Sequence, residues 1–224
     1  MKNIFKISTG LLIIAIAFTS CNNGGSSKSN SALSSNAAEK VYVAPGEHDE
    51  FYAFISGGFS GQLAVYGLPS GRLFKVIPVF SQDAEKAYGY NEETKPMLNT
   101  SFGFIPWDDA HHPDISQTNG VLDGRYVFIN GNNTPRIAKI DLTTFETTEI
   151  IEIPNSAGNH SSSYVTDNTE YVVAGTRFAV PVPQKDMSIN DYKGNFKGTL
   201  SFLKVDPEDG GMDLKFQVLM PGFD

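Results

Sequence analysis

The stretch that decides the fold is residues 126–151, YVFINGNNTPRIAKIDLTTFETTEII. It contains three short runs rich in β-branched and aromatic residues, 126–131, 136–141 and 147–151, and turn-forming residues separate them. Runs of this kind are typical of neighbouring antiparallel strands. The stretch therefore predicts three strands joined by short turns.

The same order of strand, glycine turn, strand, turn and strand occurs twice more along the chain. The strands predicted for these two copies are 52–57, 62–66, 73–77, 171–175, 200–206 and 214–218. A repeated unit of this type is typical of a β-propeller blade. The spacing of the units is uneven, because residues 81–118 lie between the first and second units. This segment is either a long insertion or a degenerate blade.

The predicted fold class is all-β, the incomplete N-terminal portion of a seven-bladed β-propeller. No window shows the apolar spacing of an amphipathic helix, so we expect little helix. Residues 41–224 supply three to four blades, whereas a propeller needs about 4–8 blades to close. An unclosed ring leaves exposed sheet edges, so we expect further blades in a longer protein.

The N-terminal region has the features of an export signal. Residues 1–20 combine Lys2 and Lys6 with an apolar run at 11–18 that is too short to span a bilayer, and Cys21 follows. This pattern resembles a lipoprotein box, with Cys21 as the lipidated residue; an ordinary signal peptide with an incidental cysteine is the alternative. Residues 21–40 are rich in Ser and Asn, which predicts a flexible linker. The expected location is the periplasm, with a membrane anchor if Cys21 is lipidated.

Composition excludes several classes of function. The formal charge is −8, which disfavours binding to nucleic acid. A single cysteine excludes a disulfide framework and any cysteine-rich zinc or iron–sulfur site.

The chain has four histidines, two of them adjacent in Asp109-Ala110-His111-His112-Pro113. Successive side chains of a regular strand point to opposite faces, so both rings reach one site only if the backbone leaves the strand conformation. Pro113 favours an extended or turn geometry at His112. Asp108 and Asp109 offer acceptors for ring N–H groups. Imidazoles without a thiolate suit copper, zinc, iron or nickel; exposed loop histidines are the alternative.

The other two histidines carry weaker signals. His160 follows a turn after the third strand of the second unit, where a plain surface histidine is the alternative to a ligand. His48 lies among carboxylates in Gly46-Glu47-His48-Asp49-Glu50, which favours a solvated or salt-bridged side chain.

Several strings together resemble the nitrous oxide reductase family, in particular its Sec-exported branch. The strings are 44–47 (APGE), 49–52 (DEFY), 56–58 (SGG), 109–113 (DAHHP), 118–120 (TNG), 123–126 (DGRY), 128–130 (FIN) and 153–155 (IPN) with Gly158 and His160. The resemblance covers essentially all of residues 41–224.

The resemblance implies a copper enzyme. The family has a seven-bladed propeller with a tetranuclear copper–sulfide cluster held by seven histidines, and a C-terminal cupredoxin domain with a dicopper centre. It implies that His111, His112 and His160 are three ligands of the catalytic cluster and that Asp109 orients a ligand. The other four ligands, the cupredoxin domain and any calcium site would lie outside this chain.

The implied reaction is the reduction of nitrous oxide to dinitrogen and water, and this fragment alone is expected to be inactive. The implied partners are nitrous oxide, a cytochrome c or similar electron donor, cluster-assembly factors and a second copy in a homodimer. The alternative function is a non-enzymatic propeller lipoprotein that binds a partner or a glycan.

Overall fold

The computed structural model describes residues 32–81, 92–160 and 163–220. The predicted signal peptide, Cys21 and the first part of the predicted linker lie outside these ranges. The last part of the linker differs from the prediction, because Ala32–Lys40 forms helix α1. Three alanines, with Leu33, Glu39 and Lys40, are strong helix formers and account for it. Among the described residues, no helix is long and apolar enough to cross a membrane.

The first sheet is a three-stranded antiparallel meander. Its strands are β1 (Phe51–Ser56), β2 (Gln62–Leu68) and β3 (Leu73–Pro78), in the order β1-β2-β3. Burial alternates along β2, where Leu63 and Val65 are fully buried. These bounds match the predicted strands of the first unit to within two residues at each end.

Only part of the predicted insertion lies outside the main sheets. Residues Lys95–Leu98 form a 3-10 helix, and β4 (Asn99–Thr100) pairs with β5 (Gly103–Phe104) in a small hairpin. Residues Ala110–Thr118, in contrast, form strand β6 of the second sheet. The prediction of an insertion over all of 81–118 is wrong for this segment, which is polar and contains a proline. Such a sequence forms an edge strand when the proline lies at a bulge.

The second sheet contains the stretch that decides the fold. Its strands follow chain order as β6, β7 (Val121–Gly131), β8 (Arg136–Asp141) and β9 (Glu146–Glu152), all antiparallel. The three predicted strands of this unit are confirmed, and β7 begins five residues earlier than predicted.

The third sheet has five strands. They are β10 (Ser163–Val165), β11 (Tyr171–Gly175), β12 (Val180–Pro181), β13 (Phe196–Val205) and β14 (Met212–Met220). The order is β10-β11-β13-β12, with β14 paired along β13, and a short helix α2 (Tyr192–Asn195) precedes β13.

Two apolar clusters hold the three sheets face to face. Val127 and Ile129 of β7 pack with the first sheet, whereas Phe128 packs with the third, as expected from the alternation of side chains along a strand. Both faces of the second sheet are therefore buried. The all-β class is confirmed, and successive sheets packed in this way are consistent with a partial β-propeller.

Candidate metal centre

A bulge in β6 turns two adjacent histidines to the same side. His111 pairs with Asn130 and Asp114 with Phe128, so His112 and Pro113 together oppose a single residue of β7. His112 has a φ of +48°, in the left-handed region. The backbone thus leaves the strand conformation, and of the two geometries expected before Pro113, extended or turn, His112 adopts a left-handed turn at the extra residue of the bulge. The two ring centroids lie 5.5 Å apart.

A tight loop after β9 brings His160 to the same place. The backbone N–H of Asn159 donates to Gly131 O at 3.0 Å, which ties the loop to the end of β7. Gly158 has a φ of +82°, and a Cβ there would overlap the carbonyl oxygen of Asn132. Glycine is therefore required where the loop passes the turn between β7 and β8. The ring of His160 lies 4.9 Å from each of the other two rings, between centroids.

The three rings form a group suited to binding metal. One ligating atom from each of His111, His112 and His160 lies within 4.8 Å of the other two. Two nitrogens bound to one ion at about 2.0–2.1 Å are at most about 4.2 Å apart, so small ring rotations bring them into range. His111 is half-buried, and the other two are exposed. No other such group of three His, Cys, Asp or Glu residues occurs in the described ranges.

Asp109 is the carboxylate beside this group. It is buried, with 1% of its surface exposed, and Oδ1 lies 2.9 Å from Nε2 of His111. Oδ1 accepts no hydrogen bond from the described residues and faces Nε2 of His111. Oδ2 accepts a hydrogen bond from Nδ2 of Asn132 at 2.8 Å. A carboxylate at Nε2 leaves Nδ1 of His111 as the nitrogen available to a metal ion.

Asp108 has a different role from the one that its position suggests. The sequence predicts that Asp108 accepts a hydrogen bond from a histidine ring, but its carboxylate instead accepts from the backbone N–H groups of Asn133 and Thr134 and from the Thr134 hydroxyl. It also lies 3.6 Å from Nη2 of Arg136. The expectation is wrong for Asp108, because successive side chains point to opposite sides of an extended segment.

Partial desolvation of the ring lowers the pKa of His112 below its ordinary value, and the charges that His160 and His111 carry when protonated lower it further. Desolvation and the two neighbouring rings therefore favour the neutral form of His112. A neutral imidazole has the lone pair that a metal ion needs.

The fourth histidine does not belong to the group, and the residues that position the group lie in turns. His48 is exposed and is not a member of the group. Sequence reasoning missed Asn132 and Arg177, and it used Gly158 only as part of the family resemblance; these three residues hold Asp109 and the His160 loop. An asparagine or glycine in a turn has no local signal that distinguishes a positioning residue from an ordinary turn former.

Fold and site together define an all-β protein of face-to-face antiparallel sheets with a histidine-based candidate metal centre at a strand bulge. Sequence comparison then identifies its relatives as nitrous-oxide reductases. The chain is 36% identical to the enzyme of Pseudomonas fluorescens over 192 residues, which is 85% of this chain and 29% of that protein. It is 35% identical to that of Stutzerimonas stutzeri over 185 residues, 82% of this chain and 28% of that protein.

The enzyme of Cupriavidus necator is 33% identical over 197 residues, covering 83% of this chain and 30% of that protein. The chain thus spans less than a third of the length of these curated relatives. The resemblance indicated by the sequence is confirmed, and it is consistent with an N-terminal portion of nitrous-oxide reductase.

Two other comparisons add little. No family model matches the sequence. Among solved structures, hydrazine synthase of Kuenenia stuttgartiensis superposes with a TM-score of 0.46 at 14% identity, covering 76% of this chain and 34% of that one.

Proposed function

We propose that this chain is the portion of a copper-dependent nitrous-oxide reductase that supplies three ligands of its catalytic copper centre. The observation that carries the proposal is the gathering of His111, His112 and His160 within 4.8 Å. The similarity to nitrous-oxide reductases over 82–85% of the chain supports the choice of family.

The donor set fits copper. The three ligands are imidazoles, no thiolate lies among them, and the surroundings of His112 favour its neutral form. When bound, a copper–sulfide cluster would supply the electrons and the coordination that nitrous oxide reduction requires. His111, His112 and His160 would hold the metal, and Asp109 would orient the ring of His111. Because His112 and His160 are exposed, the site is open to further ligands from outside this chain.

The remaining parts of the proposal concern the whole enzyme. The three packed sheets would be successive blades of a seven-bladed propeller, and the other four ligands and the dicopper cupredoxin domain would come from the rest of it. The chain alone would then lack activity. A cytochrome c-type donor, cluster-assembly factors and a homodimer are the proposed partners, and nitrous oxide is the proposed substrate.

Export by the signal at 1–20, with lipidation of Cys21, would place the protein in the periplasm on a membrane surface. Cys21→Ser tests this: we expect the variant to leave the membrane fraction and to lose incorporation of labelled palmitate. Unchanged fractionation and labelling would refute lipidation at this residue.

Copper binding by the purified chain tests the site. The chain is titrated with Cu(I) against a coloured chelator, alongside His112→Ala, His160→Ala and the control His48→Ala, which removes a histidine outside the group. We expect each variant within the group to lose at least about tenfold in affinity, as when a metal ligand's support is removed, and His48→Ala to match the parent. Equal affinities in all four proteins would refute the site.

The family function needs the complete reading frame. Produced with copper and assembly factors, the full-length protein is expected to reduce nitrous oxide, and His111→Ala or His112→Ala is expected to abolish its cluster. Full copper content and activity in both variants would overturn the assignment.

A further inference from the structure

Three polar side chains connect the protein surface to the candidate metal centre in a single line. Nη1 of Arg177 donates to Oδ1 of Asn132 at 2.8 Å, and Nδ2 of Asn132 donates to Oδ2 of Asp109 at 2.8 Å. Oδ1 of Asp109 then lies 2.9 Å from Nε2 of His111. Arg177 is exposed, whereas Asn132 and Asp109 are buried.

We infer that Arg177 and Asn132 are positioning residues that set which nitrogen of His111 faces the metal. This inference rests on the proposed function, and it deepens it by assigning roles to two residues beyond the ligands.

The amide of Asn132 has only one favourable orientation between its neighbours. A guanidinium offers donors only, and a carboxylate offers acceptors only. With its amide reversed, Asn132 would turn its NH₂ toward Arg177 and its oxygen toward Asp109, and both contacts would become repulsive. Arg177 therefore fixes the end of the amide that faces Asp109.

The fixed amide in turn determines how Asp109 is used. Its hydrogen bond occupies Oδ2 and leaves Oδ1, which has no hydrogen-bond partner among the described residues, facing Nε2 of His111. A buried carboxylate oxygen without a donor is costly, so it favours the tautomer of His111 with the proton on Nε2. That tautomer has its lone pair on Nδ1, ready for a metal ion.

Backbone contacts keep all three positions in register. The N–H of Asn132 donates to Asp109 O at 2.8 Å, and the N–H of Arg177 donates to Gly158 O at 2.8 Å in the loop that ends at His160. The guanidinium carbon of Arg177 lies 4.8 Å from the ring centre of Phe178, which restricts its side chain. The two backbone hydrogen bonds do not involve side chains, so substitutions at Asn132 or Arg177 leave them in place.

The test compares Asn132→Leu and Arg177→Met with matched controls. Asn133→Leu changes the neighbouring exposed asparagine, and Arg125→Met removes a half-buried arginine that pairs with Asp123 instead. Long-range ¹H–¹⁵N NMR of the metal-free chain, at a pH where the rings are neutral, reports the tautomer of His111. Cu(I) competition reports affinity, and urea unfolding verifies the fold.

In the parent chain we expect the proton of His111 on Nε2. In Asn132→Leu we expect a mixture of tautomers and about 10- to 100-fold weaker copper binding, the range known for residues that orient metal ligands. Arg177→Met should shift both readouts in the same direction by less, and Arg177→Lys, which keeps a donor, should restore them. Both controls should match the parent.

A folded Asn132→Leu with the parental tautomer and affinity would overturn the inference. If that variant does not fold, Arg177→Met at the surface decides by the same two readouts. If the parent chain binds no copper, the proposed function fails, and the tautomer in the metal-free variants still decides whether Arg177 and Asn132 position His111.

Discussion

Truncation of Asp108 is expected to cost a large part of the stability of the protein. The Asp108 side chain is fully buried, and it lies 3.6 Å from Nη2 of Arg136, whose side chain is also buried. Four donors point at its carboxylate, and these are the backbone N–H groups of Asp109, Asn133 and Thr134 and the hydroxyl of Thr134. Asp108→Ala removes every one of these acceptors.

The magnitude follows from burial. Hydrogen bonds to a charged group contribute about 1.5–3 kcal/mol each, but several on one carboxylate do not add. Removing one partner of a buried ion pair costs about 3–5 kcal/mol, because the remaining buried charge loses that counterion. The free energy of unfolding of a native protein is only about 5–15 kcal/mol. We therefore expect Asp108→Ala to lose about 3–5 kcal/mol.

Urea unfolding measures this loss. The single tryptophan, Trp107, is a fluorescence probe beside the changed residue, and far-UV circular dichroism gives an independent signal. Asp213→Ala is the control, because its pair with Lys215 is exposed and such pairs contribute less than about 1 kcal/mol. Adding Arg136→Met to Asp108→Ala should recover at least about 1 kcal/mol relative to the sum of the single changes. Equal losses for Asp108→Ala and Asp213→Ala, or strict additivity, would refute the reasoning.

Three further changes test other parts of the structure. Gly158→Ala should destabilise the chain by about 1–3 kcal/mol and weaken copper binding, because its Cβ would overlap Asn132 O in the loop leading to the third ligand. Burial raises the pKa of Glu149 and the Lys139 cation lowers it, so Lys139→Met should raise that pKa further, as followed by carboxyl NMR. Although burial raises the pKa of Asp123, hydrogen bonds from Ser116, Arg125 and Thr118 lower it from 3.8 to about 2. Its stabilisation is therefore complete above about pH 4 and lost as the pH falls toward 2, and Asp123→Asn should flatten this part of the acid unfolding curve.

Each of these changes has its own control and contrary result. Gly71→Ala introduces the same left-handed strain, at a φ of +69°, into open space, so equal effects at both glycines would exclude the overlap as the cause. An unchanged pKa of Glu149 after Lys139→Met would show that the 3.7 Å pair is not formed in solution. An acid unfolding curve that is identical with and without Asp123 would remove the assigned role of its hydrogen bonds.

Strand positions were predictable because the information is local. The runs 126–131, 136–141 and 171–175 are short and rich in β-branched or aromatic residues, and turn-forming residues lie at their ends. This local pattern is enough to predict strands. Leu63 and Val65 on β2 follow the same period. Strand β6 was missed because it is polar, contains Pro113 and owes its conformation to pairing with β7 rather than to its own residues.

For the candidate site, too, the identity of the residues is local information and their arrangement is not. Family strings drew attention to His111, His112, His160 and Asp109, but the geometry that brings the rings together depends on a bulge of one residue, and one residue of register decides which face the side chains on either side of the bulge occupy. The same register that buries Asp109 under His111 sends Asp108 to Arg136, so two adjacent and identical residues have unrelated roles. It follows that a shift of the bulge would separate the histidine rings and exchange the two carboxylates at once, which ties the stability of the core around Arg136 to the integrity of the metal centre.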